Sequence, residues 1–353
     1  MVYNTKGTKH SFKRLLAAIV LLSAIGGYAK TDVPVFILAG QSNMTGYASS
    51  NDLTSDQKKD VSNVKIYMDI TWEGNASRVK KWLTLGINFG SQGTNIGPEL
   101  FFGRTLSELM PNQKIALIKV CCGSTYLGNY SSKASDCWVP PSSNNGKGGP
   151  HYQRMISAID AALKSFNSAY DTAQYTPCLA GFLWLQGEFD GQDQNLANAY
   201  ETNLTNLIND LRKDTKVTDL PSIIAMIDVQ NSWQYNSKIR AAEVAVTKKM
   251  KNVDTLDTKG FPTDGVHYKA QGQVKIGTIA AQRWTAMNFK YGSSVSISPA
   301  ALTTVKKQLY TARPVSIISL NGRQVIGGDY IHNGVFITRT ESGILRYSPY
   351  FAK

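Results

Sequence analysis

Four cysteines in 353 residues are too few to staple a chain of this length, so a buried apolar core must supply most of its stability. No CxxC occurs, which leaves a zinc-type cysteine cluster without support. Histidine is as scarce, with four in all. Beyond residue 29 no apolar run approaches the ~20 residues that cross a bilayer. Neither a GxxxxGK[ST] phosphate loop nor an HExxH pair is present, so nucleotide hydrolysis and zincin chemistry find no motif. GxSxG is missing too, and with it the nucleophile elbow of the α/β-hydrolase fold. Acidic residues are outnumbered, 25 against 38 basic ones, for a formal net charge of +13.

Part of that charge sits at the start. Lys6, Lys9, Lys13 and Arg14 precede an apolar run over residues 15–25, which ends in Gly26-Gly27-Tyr28-Ala29. A basic start, a short apolar stretch and a small-residue end describe a secretory signal peptide over residues 1–29, cut near Ala29. Removing it takes away four basic residues and no acidic one, leaving +9. The remaining Lys and Arg are scattered and no nucleic-acid motif accompanies them, so an acidic decorated polysaccharide or a cell envelope fits the charge better than nucleic acid. An exported chain permits disulfides. A bridge from Cys121 or Cys122 to Cys137 would close a modest loop, and buried free thiols are the alternative.

What is present in quantity is alternation. Residues 33–39, 64–68, 114–120, 180–185 and 222–229 read as strands, four of them nearly continuous apolar runs of the kind buried on both faces of a parallel sheet. Between them, residues 98–109, 152–166, 196–211, 237–250 and 271–287 keep apolar residues at helical spacing. The predicted fold is α/β, a parallel sheet with helices on both faces, over residues 30–290. Residues 133–150, rich in Ser, Asn, Gly and Pro, read as a long surface loop. Residues 291–301 look like a linker. Residues 302–353 are predicted as a small β module with strands at 315–320, 324–326, 334–340 and 344–347, and Asn321-Gly322 marks a hairpin.

Chemistry is expected where strands end, because ligands of α/β sheets bind at the carboxyl ends of strands. The first strand runs into Gly40-Gln41-Ser42-Asn43-Met44. A serine there is either a nucleophile beside backbone N–H groups or an ordinary helix N-cap. Its natural base is a histidine, and beyond residue 29 there are only His151, His267 and His332. His267 closes Asp264-Gly265-Val266-His267, a spacing that can turn the Asp264 carboxylate toward the imidazole and leave its other nitrogen for the serine proton. The third strand ends at Cys121-Cys122-Gly123-Ser124-Thr125, where Gly123 permits close backbone approach and an oxyanion-binding N–H. Residues 184–190 read Trp-Leu-Gln-Gly-Glu-Phe-Asp. There Gln186 offers an amide for an oxyanion, and Glu188 offers a second acid to orient His267.

Gly40-Gln41-Ser42-Asn43-Met44, Gly97-Pro98-Glu99, Gly123-Ser124-Thr125, the block at 184–190 and Asp264-Gly265-Val266-His267 occur in this order. In that succession the chain resembles the SGNH hydrolases, specifically carbohydrate esterase family 6, related to sialate O-acetylesterases. The resemblance spans residues 33–287. It implies a three-layer, flavodoxin-like α/β/α fold with Ser42 as nucleophile and His267 as base. Asp264 and Glu188 match the family's two acids. Ser42, Gly123 and Gln186 would form the oxyanion hole, although Gln186 stands where many relatives carry Asn. Gln41, Asn43, Ser124 and Thr125 would contact substrate, and Ser124-Thr125 departs from the Gly-Thr common in relatives. The implied activity is metal- and cofactor-independent removal of acetyl groups from plant cell-wall xylan by a secreted or cell-surface enzyme. Acetylated sialic acid, another acetyl ester, and an inactive glycan-binding protein are the alternatives. The β module resembles the tails of exported polysaccharide-degrading proteins, which serve secretion, surface attachment or binding.

Overall fold

The computed structural model describes residues 29–70, 76–228 and 233–292, together with three strands near the C-terminus. In chain order the strands of the main body are β1 (Thr31–Gly40), β2 (Ala48–Ser49), β3 (Val61–Ile70), β4 (Trp82–Leu85), β5 (Asn95–Ile96), β6 (Ile115–Cys121), β7 (Tyr175–Leu185), β8 (Ser222–Met226) and β9 (Val253–Asp257). Seven of them form one sheet in the order β4-β3-β6-β1-β7-β8-β9, while β2 and β5 pair separately.

Every neighbouring pair in the large sheet is parallel except β3 and β4, which run antiparallel. The sheet is parallel as expected but for that one edge. Without β3 and β4, the strands β1, β6, β7, β8 and β9 lie in the spatial order second, first, third, fourth, fifth. That is the flavodoxin-like arrangement, and β3 and β4 extend the sheet beyond β6.

Strand periodicity builds the layers. Along β1, Val33, Val35, Ile37 and Ala39 enter one apolar core, and Phe36 and Leu38 enter the other. The first core is completed by helices Pro150–Lys164, Gln194–Thr215 and Asn236–Lys249. The second is completed by helices Glu99–Leu109 and Ala270–Ala286. Phe36 meets Phe102 and Trp284 edge-on, with ring centroids 5.3 and 4.7 Å away. Such pairs add ~0.5–1.5 kcal/mol each beyond the area they bury. Where the two helices on this face touch, a Cβ at Gly277 would stand 2.4 Å from the Pro98 carbonyl oxygen, so the close approach requires glycine.

Register positions the site. Gly40, the last residue of β1, pairs with Cys121 on one side and Leu185 on the other, which end β6 and β7. The three loops that follow leave the sheet side by side. From β1 the chain turns toward β3 and β6, whereas β7 lies on the opposite flank of β1, so a topological switch point falls between β1 and β7.

All four cysteines are free thiols, which corrects the expected bridge to Cys137. The Cys137 sulfur instead accepts from the Tyr130 N–H and donates to the Lys133 carbonyl, and burial pushes the Cys121 thiol up to about 11. Near the C-terminus β10 (Tyr330–His332), β11 (Val335–Arg339) and β12 (Leu345–Pro349) form an antiparallel three-stranded sheet. The latter two match predicted strands. All but the last residue of the expected signal peptide at 1–29, nearly all of the expected linker, and the expected strands at 315–320 and 324–326 with the 321–322 hairpin lie outside the described residues. Among the described residues no helix is long and apolar enough to cross a membrane.

Candidate active site

The turn after β1 is built around two positions. Gly40 has φ +153°, and a Cβ there would lie 2.0 Å from the Leu185 carbonyl oxygen. Gln41 donates its N–H to that same oxygen at 3.1 Å, while the Gly40 carbonyl accepts from the Cys122 N–H at 3.2 Å. Residues Ser42–Thr45 then form one helical turn. Gln41, not Ser42, occupies its N-cap, and no side chain caps it. The alternative of Ser42 as a capping serine is thereby excluded. Ser42 opens the turn, where backbone N–H groups have no intrahelical partner.

The far end of that turn rests on a buried charge. Lys119, from the middle of β6, donates to the carbonyl oxygens of Thr45 (2.9 Å) and Phe89 (2.7 Å) and to Glu99 Oε2 (2.7 Å). Glu99 Oε1 accepts from the Gly97 N–H at 2.9 Å. Both side chains are wholly buried. The Gly97-Pro98-Glu99 block therefore braces the serine turn from behind.

The loop carrying His267 precedes helix Ala270–Ala286. Asp264 Oδ1 accepts from the N–H groups of Val266 (2.8 Å) and His267 (2.7 Å) and so shapes a tight turn. Partial burial pushes this carboxyl up, but those two N–H groups and the nearby imidazole outweigh it and hold the group below its ordinary value. Burial lowers the His267 pKa, and Asp264 opposes that shift. The imidazole therefore stays neutral, and able to accept a proton, to lower pH than an exposed histidine. Tyr47 stacks on it.

Asn43 joins this loop to the serine turn. Its Nδ2 donates to Glu188 Oε1 (2.7 Å) and to the Val266 carbonyl (3.2 Å), and its Oδ1 accepts from the Tyr268 N–H (3.0 Å). Burial raises the Glu188 pKa, partly offset by the Asn43 bond, and Glu188 Oε2 is buried without a hydrogen-bond partner.

Ser42, His267, Glu188, Gly123, Ser124, Gln41 and Asn43 line one cavity of about 440 Å³. Its apolar walls come from Tyr47, Phe189, Trp233 and Val266, with Gln192 at the edge. Val266 is 49% exposed, and Gln41 Oε1 is buried and unpartnered. Ser124 adopts a left-handed φ of +60°, a conformation that glycine accepts more readily.

Three expected roles do not match the geometry. Gln186 is fully buried behind the cavity, with Nε2 donating to the Thr125 carbonyl (2.9 Å) and Asp190 Oδ2 (2.7 Å), so its amide has no N–H left for an oxyanion. Thr125 is fully buried too, its hydroxyl donating to the Cys122 carbonyl and accepting from Trp138, so it does not contact substrate. Asn43 lines the cavity, but its amide is taken up by protein partners. Asp190, given no role from sequence, accepts from the N–H groups of Leu127 (2.8 Å) and Gly128 (2.9 Å) as well as from Gln186, and fixes the loop after Gly123. Tyr47 was missed as well, since nothing in the sequence pairs it with a residue 220 positions on. Among the described residues no three of His, Cys, Asp and Glu converge as a metal-ligand set.

The chain is similar to known carbohydrate esterases. The family model described as carbohydrate esterase, sialic acid-specific acetylesterase matches residues 32–286. A probable carbohydrate esterase of Arabidopsis thaliana is 25% identical over 264 residues, covering 71% of this chain and 89% of the plant protein. A solved Arabidopsis thaliana structure superposes with a TM-score of 0.55 at 21% identity, covering 73% of this chain and 99% of the other. A carbohydrate acetylesterase from Xanthomonas citri gives 0.52 at 14% identity, covering 72% of this chain and 56% of the other.

Proposed function

The chain belongs to the carbohydrate esterase, sialic acid-specific acetylesterase family, and we propose that it is an exported serine esterase of the carbohydrate esterase family 6 type, removing O-acetyl groups from acetylated xylan. The observation that carries this reading is the shared cavity, into which the loops after β1, β6 and β7 and the His267 loop bring Ser42, Gly123, Glu188 and His267.

In the proposed reaction Ser42 Oγ attacks the acetyl carbonyl carbon while His267 takes the hydroxyl proton. Asp264, which shapes the loop, favours the imidazolium that forms. The N–H groups of Ser42 and Gly123 receive the oxyanion, and losing one such donor typically costs ~100–1000-fold in turnover. As the tetrahedral intermediate collapses, the bond to the sugar oxygen breaks and His267 returns the proton to it. Water, deprotonated by His267, then attacks the acetyl carbon, acetate departs and Ser42 regains its proton.

The lining favours a neutral sugar over an anionic one. Its ionisable side chains are His267, Tyr47 and the buried Glu188, so a sialic acid carboxylate would find no Lys or Arg to pair with. Export rests on the pattern of residues 1–29, and surface attachment would fall to residues 302–353.

Acetate release from acetylated xylan and from O-acetylated sialic acid tests the reading. Wild type is expected to prefer xylan, and Ser42→Ala and His267→Ala to be inactive. Full turnover in either variant overturns the mechanism, and preference for the sialic ester overturns the substrate.

A further inference from the structure

Ser42 and His267 are 225 residues apart in the chain, and their relative position must be set by something between their loops. Asn43 follows Ser42 directly. It grips the residue on each side of His267, donating to the Val266 carbonyl at 3.2 Å and accepting from the Tyr268 N–H at 3.0 Å. Its own carbonyl accepts from Gln273 Nε2 at 3.0 Å, in the first turn of helix Ala270–Ala286. The remaining N–H of the amide goes to Glu188 Oε1 at 2.7 Å. All three side-chain bonds join segments more than 140 residues apart, and Asn43, Tyr268, Gln273 and Glu188 are buried.

We infer that Asn43 is a positioning residue that fixes His267 against Ser42, and that Glu188 acts through Asn43 as the acceptor that orients its amide. The inference rests on the reading of Ser42 and His267 as nucleophile and base. An amide has a donor end and an acceptor end, and the two backbone groups flanking His267 need one of each. The Glu188 bond selects which end faces which, because a carboxylate oxygen accepts and cannot pair with the amide oxygen. Aspartate at position 43 would turn an acceptor toward both Glu188 and the Val266 carbonyl. Val266 gains from the same grip, since its carbonyl is pinned while its side chain stands at the cavity rim.

Misplacing a reacting group by about 1 Å can cost ~100-fold in rate. Asn43→Ala and Asn43→Asp are therefore expected to lower kcat by ~10–100-fold and to leave KM for an acetylated xylo-oligosaccharide within about threefold. The rate at which a serine-directed phosphonate labels Ser42 should fall in parallel. Glu188→Ala is expected to reproduce the loss, and Glu188→Gln, whose amide oxygen still accepts from Asn43, to recover most of it. A kcat within threefold of wild type in both Asn43 variants overturns the inference, as does a loss confined to KM, which would mark a substrate contact. If Asn43→Ala does not fold, the Glu188 pair decides. Recovery by Gln supports the acceptor role, and equal loss in Ala and Gln overturns it. Ser42→Ala, assayed alongside, separates the two levels, because activity in that variant condemns the nucleophile assignment and not the positioning role.

Discussion

The Tyr47 ring lies face to face with the His267 imidazole, centroids 4.4 Å apart and planes 9° from parallel. The stack covers one face of the imidazole and contributes to the burial that lowers its pKa, against the upward pull of Asp264. Tyr47→Ala removes the cover and leaves Asp264 in place. The acid limb of the kcat/KM profile should then move up, toward or past the ~6.5 of an ordinary histidine. The sign follows from the base being active only when neutral, so the variant loses activity at a higher pH than wild type. Tyr47→Phe keeps the stack and should keep the wild-type limb. Superimposable profiles for Tyr47→Ala and wild type would show that the ring does not set the base.

The Lys119–Glu99 pair should reveal itself when broken from one side. Lys119→Met leaves a buried carboxylate without its counter-ion and two carbonyls without a donor, an arrangement that typically costs ~3–5 kcal/mol. Adding Glu99→Gln removes the uncompensated charge and should restore a large part of the stability. Urea denaturation of both variants measures this. A Lys119→Met cost below ~1 kcal/mol would mean that the pair carries little of the turn's support. Turnover should also fall in the single variant, because Lys119 holds the Thr45 carbonyl at the end of the serine turn.

Asp190 is expected to behave as an organiser of the loop after β6. Asp190→Ala orphans the N–H groups of Leu127 and Gly128 and one N–H of Gln186. Each buried donor left unpaired costs ~1–3 kcal/mol. The variant should be markedly destabilised and should lose kcat through displacement of Gly123. A stable variant with wild-type turnover would show that the loop holds its shape without Asp190.

Sequence reading found the strands whose signal is burial itself. β1, β6, β7 and β8 are covered on both faces and read as apolar runs. The short edge strands β4 and β9 were missed because half of their residues face outward, and Val253–Asp257 carries two acids in five positions. The five long helices were placed within about four residues at each end. At the site, strand ends told which residues gather: Ser42, Gly123, Glu188 and His267 do share a cavity. They do not tell which way a side chain points, and so Gln186 is expected in the oxyanion hole and Thr125 at the substrate although both face inward. A lone lysine inside the apolar run 115–120 is the available signal for Lys119, since a buried cation must find a partner.

His151 gives a test in which stability, not catalysis, reports the burial of a titratable group. It sits at the start of helix Pro150–Lys164, buried, tilted against Trp138 at 5.2 Å, with neither ring nitrogen hydrogen-bonded. Burial first and Arg154 second push its pKa down to about 4, while Asp136 pulls weakly the other way. In the unfolded chain it should titrate near 6.5. Between those values the unfolded chain binds a proton that the folded one excludes, so the stability present above ~6.5 is lost as pH falls toward 4, by on the order of 3 kcal/mol. Asp190 works in the opposite sense over part of the window, since burial raises its carboxyl to about 6 and its neutral form favours the fold at acid pH. Both effects act in wild type, and His151→Phe removes only the first. Urea denaturation at pH 7 and pH 4.5 should therefore show the variant gaining ~2–3 kcal/mol on wild type across the interval, whatever its packing does to stability at pH 7. Parallel losses in the two proteins would mean that His151 is protonated in the folded state and finds a partner there.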